Sequence, residues 1–155
     1  MRLTLITIGK PRSKATRALI KEYGERLSRY GRFEHVIVSD RQKGDVAQIR
    51  KQQSDALLQA VPARAKIIVL DERGETWTSE ALAEHMANDA LHGHSHWALL
   101  IGGSDGHDPS LREHADKLWS LSKLTLPHDL AAILVTEQLY RAMTIQNGEP
   151  YHRGG

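Results

Sequence analysis

The chain has 155 residues, 40% of them hydrophobic and 26% charged, which suits one compact domain with its own apolar core and leaves little room for a second. Cysteine is absent, so disulfide frameworks, thiolate zinc sites, cysteine nucleophiles and thiol redox chemistry are all excluded. The net charge of +2 is unevenly divided: residues 1–53 hold 13 Lys and Arg against 5 Asp and Glu, a net of +8, and residues 54–155 hold 8 against 14, a net of −6.

Short runs rich in Val, Ile and Leu alternate with longer segments of helical periodicity, the pattern of an α/β domain with a mainly parallel sheet flanked by helices. The first strand is expected at Leu3–Ile8. A helix from Lys14 to Tyr30 follows, because Ala15, Leu19, Tyr23 and Leu27 recur every four residues and form one apolar stripe. Its other faces are basic, and Arg12, Lys14, Arg17, Lys21, Arg26, Arg29 and Arg32 crowd this one stretch, a density of cations suited to phosphates, although a solvated helix is often basic as well.

A second strand is expected at His35–Ser39 and a second helix from a cap at Asp45 to about Ala60, stopped near Pro62. The run Lys66–Asp71 reads as a strand, Asp71-Glu72-Arg73-Gly74 as a turn, and Thr78 or Ser79 as the cap of a helix reaching Leu91. Trp97–Ile101 is the next strand. Residues 67–70 and 98–101 are apolar without a break, as in central strands buried on both faces. Asp108-Pro109 opens a helix ending around Trp119, and a further strand is expected at Leu124–Leu126. The last helix, Leu130 to Ile145, is apolar on more than one stripe and requires burial on more than one side, by the core or by a second copy of the chain; a homodimer is the expectation. Gly154-Gly155 is expected to fray. No apolar run approaches the roughly 20 residues of a membrane helix, and Met1-Arg2-Leu3-Thr4-Leu5 lacks a signal peptide's layout, so a cytoplasmic protein is expected.

Ligands of open α/β sheets gather beyond the carboxyl ends of the strands, which directs attention to three loops. Gly102-Gly103-Ser104-Asp105-Gly106-His107-Asp108-Pro109 allows close backbone approach to a ligand, although its glycine spacing is not the dinucleotide fingerprint and suits a plain turn equally well. Asp71-Glu72-Arg73-Gly74 is the second. The third, Ser120 to His128, is apolar yet bounded by serines and a proline, a composition able to surround a flat heterocycle with leucines and peptide groups. Glu137 and Arg141 stand one helical turn apart and are expected to pair. His92, His94 and His96 alternate, but nothing near them completes a tetrahedral metal set, and no metal is expected. Pro150-Tyr151-His152-Arg153 combines an aromatic platform, a titratable ring and a guanidinium, groups suited to a base and its phosphate.

Leu70-Asp71, Leu99-Leu100-Ile101-Gly102-Gly103, Trp119-Ser120-Leu121-Ser122 with Leu124-Thr125-Leu126-Pro127-His128, and the terminal Pro150-Tyr151-His152-Arg153, in this order and spacing, resemble the ribosomal large subunit pseudouridine N3-methyltransferase family of the SPOUT class. The resemblance runs from the first strand to the C-terminus. It implies one minimal SPOUT (α/β-knot) domain over residues 1–155, a C-terminal deep trefoil knot, and a homodimer. It also implies S-adenosyl-L-methionine as cofactor, held by Leu70, Gly102, Leu121, Ser122, Lys123, Leu124, Thr125 and Leu126. The implied reaction methylates N3 of a pseudouridine in 23S rRNA, in the large subunit or the assembled ribosome.

On this resemblance Arg12, Lys14, Arg17, Lys21, Tyr151 and Arg153 are expected to bind RNA. His152 and Arg153 are expected to serve catalysis, His152 as proton acceptor or positioning group and Arg153 toward phosphate or developing negative charge. The tail of one subunit is expected to complete a site whose cofactor lies in the other. Ser104-Asp105 and His107 depart from the proline, glutamate and apolar residue that many relatives carry, and Gly154-Gly155 extends past the family's usual terminal arginine. Two other readings compete: a non-catalytic ribosome-binding or RNA-binding module, and a flavodoxin-like nucleotide binder, whose strand and helix alternation is the same.

Overall fold

Both uninterrupted apolar runs become inner strands of one parallel sheet. In the computed structural model, which describes residues 1–153, the strands are β1 (Arg2–Ile8), β2 (Arg32–Val38), β3 (Lys66–Thr76), β4 (His96–Ile101) and β5 (Lys117–Ser120). Their order is β2-β1-β4-β3-β5, and every neighbouring pair is parallel. A flavodoxin-like sheet is ordered 2-1-3-4-5, so the exchange of β3 and β4 removes that reading. The fraying expected of Gly154-Gly155 lies outside the described residues.

Parallel neighbours require crossovers, and helices supply them: α1 (Lys14–Leu27), α2 (Val46–Gln59), α3 (Ser79–Leu91), α4 (Pro109–His114) and α5 (His128–Gln146), followed by a 3-10 turn at Pro150–Arg153. Strand residues alternate between two cores. Leu3, Leu5, Ile68, Leu70, Leu99 and Ile101 pack under α1, α3 and α5, whereas Ile6, Ile8, Val69, Ala98 and Leu100 meet Leu57 of α2 and Leu111 of α4. Most helix starts follow from their caps. The side chains of Ser13, Asp45, Thr78 and Asp108 accept hydrogen bonds from first-turn N–H groups, and Asp45 and Gln48 form a reciprocal capping box. The apolar α5 obtains its burial within the chain on two sides, since it lies against both α1 and α3 and reaches β1 and β4.

The region after β4 departs from expectation. The helix begun by Asp108-Pro109 ends at His114 rather than Trp119, and residues 117–120, not Leu124–Leu126, form the strand. Asp116 is the cause: its N–H donates to the Ile67 carbonyl and its carboxylate accepts from Ile67 N–H at 2.7 Å, which sets Leu118 and Trp119 beside Val69 and Leu70. Four residues beginning with lysine are too few to display a strand period. Residues 71–74 also behave as more than a turn. They bulge out of β3, for Leu70 and Glu75 both stand opposite Trp119.

Candidate functional site

Strands β4, β3 and β5 are adjacent, so the loops leaving β4 and β5 converge on the bulge at residues 71–74 of β3. Between them lies a cleft of about 780 Å³ lined by Leu70 to Glu72, by Ile101 to His107, and by Trp119 to Ser122 with Leu124 to Pro127; Arg112, His128 and Ala131 close it. Of the residues expected to hold a cofactor, Leu70, Gly102, Leu121, Ser122, Leu124, Thr125 and Leu126 line this one cleft. Lys123 does not. It is an exposed residue of the loop, where Leu124 N–H donates to Ser122 Oγ at 3.0 Å and Ser120 Oγ–H donates to the Ser122 carbonyl at 3.0 Å.

The glycine loop is shaped by what is packed behind it. A Cβ on Gly102 would lie 2.7 Å from Cε1 of His107, and one on Gly103 would lie 2.8 Å from Oε1 of Gln53. A side chain at either position would have to displace His107 or Gln53, and as it stands the bare peptide groups form the cleft wall. His107 Nε2–H donates to the Leu70 carbonyl at 2.9 Å, which ties the β4 loop to the end of β3. Burial pushes the His107 imidazole below its ordinary pKa, outweighing the Leu70 bond and the nearby Asp71 charge, so the ring is neutral at pH 7.

Helix α2 grips the same loop from outside. Arg50 Nε–H donates to the Asp105 carbonyl at 2.8 Å, Ser54 Oγ accepts from Asp108 N–H at 2.9 Å, and Gln53 stands against Gly103 between them. These positions were not anticipated as part of a site. The available signal was polar side chains at i, i+3 and i+4 on the same face as Leu57, where an amphipathic helix normally continues its apolar stripe.

At the end of β3, Asp71 accepts from Arg73 N–H at 2.8 Å and from Arg112 Nε at 2.7 Å, with its side chain only 3% exposed. Burial alone raises its pKa, but these hydrogen bonds and the Arg112 charge hold the carboxyl below the usual carboxylate value. The cleft thus offers leucine walls, unencumbered peptide groups and a fixed carboxylate. Such a set suits a nucleoside with a cationic or zwitterionic extension.

The terminal residues lie elsewhere. Tyr151 OH donates to Glu137 Oε1 at 3.1 Å, its ring meets Tyr140 edge-on at 4.6 Å, and Arg141 covers its face at 4.9 Å. Glu137 and Arg141 pair as expected, with Nη2 to Oε1 at 2.7 Å. Glu137 is nine residues along α5 from the cleft end at His128, roughly 13 Å of helix. Neither Tyr151, His152 nor Arg153 lines the cleft of its own chain. His152 Nδ1–H donates to the Glu149 carbonyl at 2.9 Å, which leaves Nε2 of the neutral ring as an acceptor.

The basic residues begin at the cleft rim. Arg12 N–H donates to Asp129 Oδ2 at 3.1 Å, beside cleft-lining His128. Lys14 is exposed, Arg17 donates to the Pro11 carbonyl at 2.7 Å, and Arg17 and Lys21 border a smaller groove, about 400 Å³, between α1 and β2. Two of the alternating histidines have other partners: His92 donates to the Asn88 carbonyl and His96 Nε2 is 2.8 Å from Thr4 Oγ1. Among the described residues no three His, Cys, Asp or Glu side chains are arranged to hold a metal ion, and no helix is long and apolar enough to cross a membrane.

Comparison with known proteins gives consistent matches along the chain. A family model described as "Predicted SPOUT methyltransferase" matches residues 1–152. A Deinococcus radiodurans protein named ribosomal RNA large subunit methyltransferase H is 47% identical over 154 residues, covering 99% of this chain and all of the relative. Proteins of the same name from an Anaeromyxobacter species and from Bifidobacterium adolescentis are 44% and 41% identical, each covering 99% of this chain and all of the relative.

Proposed function

Because the chain belongs to the SPOUT methyltransferase family, we propose that it methylates ribosomal RNA of the large subunit, using S-adenosyl-L-methionine to modify N3 of a pseudouridine in 23S rRNA. The observation that carries this reading is the convergence of Leu70, Gly102 and the Leu121 to Leu126 loop on one cleft. Residues 1–155 act as one catalytic domain, in the cytoplasm where its ribosomal substrate is found.

The cofactor supplies an electrophilic methyl group on a sulfonium centre. Leu70, Gly102, Leu121, Ser122, Leu124, Thr125 and Leu126 hold it through backbone groups and apolar contact; Lys123 acts from the loop's outer side. Positioning is the main contribution, with no metal and no covalent enzyme intermediate. N3 must lose its proton as the new bond forms, and the free Nε2 of His152 is suited to accept it. Arg153 meets phosphate or developing negative charge, Tyr151 sits beside them, and Arg12, Lys14, Arg17 and Lys21 carry the RNA backbone to the rim.

The distance between the tail and its own cleft supports a homodimer in which a second subunit brings His152 and Arg153 to the acceptor side. Leu124, 75% exposed on the cleft lining, and Leu130, 42% exposed in the first turn of α5, supply apolar surface for such contact. The C-terminal trefoil knot belongs to this reading through the SPOUT family membership. The direct test compares modified bases in ribosomal RNA from cells with and without the gene. Loss of one N3-methylpseudouridine on deletion is expected, and an unchanged set of methylated bases rejects the function.

A further inference from the structure

Two buried side-chain acceptors have no hydrogen-bond partner among the described residues, His107 Nδ1 and Gln53 Oε1. Both residues are more than nine-tenths buried, at 7% and 8% exposure, and both atoms face the glycine loop. The Cβ position of Gly102 is 2.8 Å from His107 Nδ1, and that of Gly103 is 2.8 Å from Gln53 Oε1. Their roles as acceptors are fixed by their other bonds. His107 commits Nε2–H to the Leu70 carbonyl, and Gln53 commits its amide N–H to Gln42 Oε1 at 3.3 Å. Buried acceptors are rarely left unpaired, because the lost solvation is not returned. Here two of them flank one loop, and that loop carries glycines at 102, 103 and 106, whose peptide groups turn without displacing a side chain.

We infer that His107 and Gln53 are positioning residues for the nucleoside-binding loop, their acceptors receiving backbone N–H groups of residues 102–106 when the ligand draws that loop into its bound conformation. The inference rests on the reading that the cleft binds S-adenosyl-L-methionine. Neither side chain needs to touch the ligand. The free energy of two completed buried hydrogen bonds is released only with the cleft filled, so the pair links loop geometry to affinity. Asp71 and Arg112 are the charged groups beside His107, and Gln42 and Arg50 approach from the side of α2.

The test measures S-adenosylhomocysteine affinity by calorimetry and ligand-free thermal stability for the wild type, His107→Leu, Gln53→Leu and His107→Gln. Gln53→Leu removes an unpaired acceptor and only a long 3.3 Å bond to Gln42, so its ligand-free melting temperature is expected to hold or rise while affinity falls at least about tenfold; His107→Leu also gives up the bond to the Leu70 carbonyl and is expected to lose stability as well as affinity. His107→Gln keeps one donor and one acceptor and is expected to recover most of the affinity. In Gln53→Leu a merely structural role gives the opposite pattern, with stability and affinity falling together or with affinity untouched, and overturns the inference. Should His107→Leu fail to fold, Gln53→Leu, on the far side of the loop, decides the matter by the same two readouts. A wild type that binds no S-adenosylhomocysteine overturns the cofactor reading and this inference together; wild-type binding with unaffected variants overturns the inference alone.

Discussion

Asp71 and Arg112 show how a single contact at the cleft is balanced. The carboxylate is almost fully buried and the guanidinium one-fifth exposed, so removing the cation strands a buried charge. Arg112→Leu is expected to cost about 3 kcal/mol of stability, measured by urea unfolding at neutral pH. The pH dependence has a definite sign. A carboxyl whose pKa is depressed by folding adds stability that is fully present above the unfolded value of about 4 and is lost as pH falls through the folded one. Wild-type protein therefore loses this contribution in acid, whereas Arg112→Leu, lacking it from the start, should show a shallower decline below about pH 4. An equally steep decline in both proteins contradicts the account. At Gly102 the constraint is steric instead. Gly102→Val drives a side chain into His107 and is expected to weaken S-adenosylhomocysteine binding by about 100-fold or more; calorimetry showing wild-type affinity removes the glycine loop from the cofactor site.

Among the elements, the terminal 3-10 turn carries a dual burden, since it packs against α5 of its own chain and is proposed to serve another chain's cleft. Deleting residues 151–155 removes the ring edge on Tyr140 and the hydroxyl bond to Glu137, at a cost of about 1–2 kcal/mol. Cofactor affinity should stay within about twofold, because none of Tyr151, His152 and Arg153 lines the cleft, while methylation should vanish. Undiminished turnover by the truncated protein excludes the tail from catalysis. Helix starts with a recognisable cap were legible from residues alone: Asp45, Thr78 and Asp108-Pro109 all begin helices where expected. Strand β5 was not, because its position is set by Asp116 pairing with Ile67, a contact 49 residues apart in sequence. The cleft was legible where a strand end meets a glycine or serine loop. Arg50, Gln53 and Ser54 stayed hidden, as their role depends on which loop α2 covers after the chain has crossed the sheet.

For the whole molecule, the uneven charge becomes spatial. Residues 1–53 build β1, α1, β2 and most of the turns of α2, so the cationic surplus gathers toward the β2 edge, while the cleft, with Glu72, Asp105 and the Asp71–Arg112 ion pair on its wall, lies in the anionic remainder. A sulfonium-bearing zwitterion is suited to the second region and a polyphosphate chain to the first, and the hydrogen bond between Arg12 and Asp129 marks where they join. Methyl transfer at that boundary needs both ligands at once, each on the field that favours it. Replacing Arg12, Lys14, Arg17 and Lys21 together by glutamine separates the two fields experimentally. RNA affinity should fall and its logarithmic salt dependence should become shallower by about 3, at roughly 0.7–0.9 for each phosphate no longer neutralised, with S-adenosylhomocysteine binding unchanged. A salt slope equal to the wild type's, with affinity reduced only through misfolding, would move the RNA track off α1 and leave the cationic helix as ordinary solvated surface.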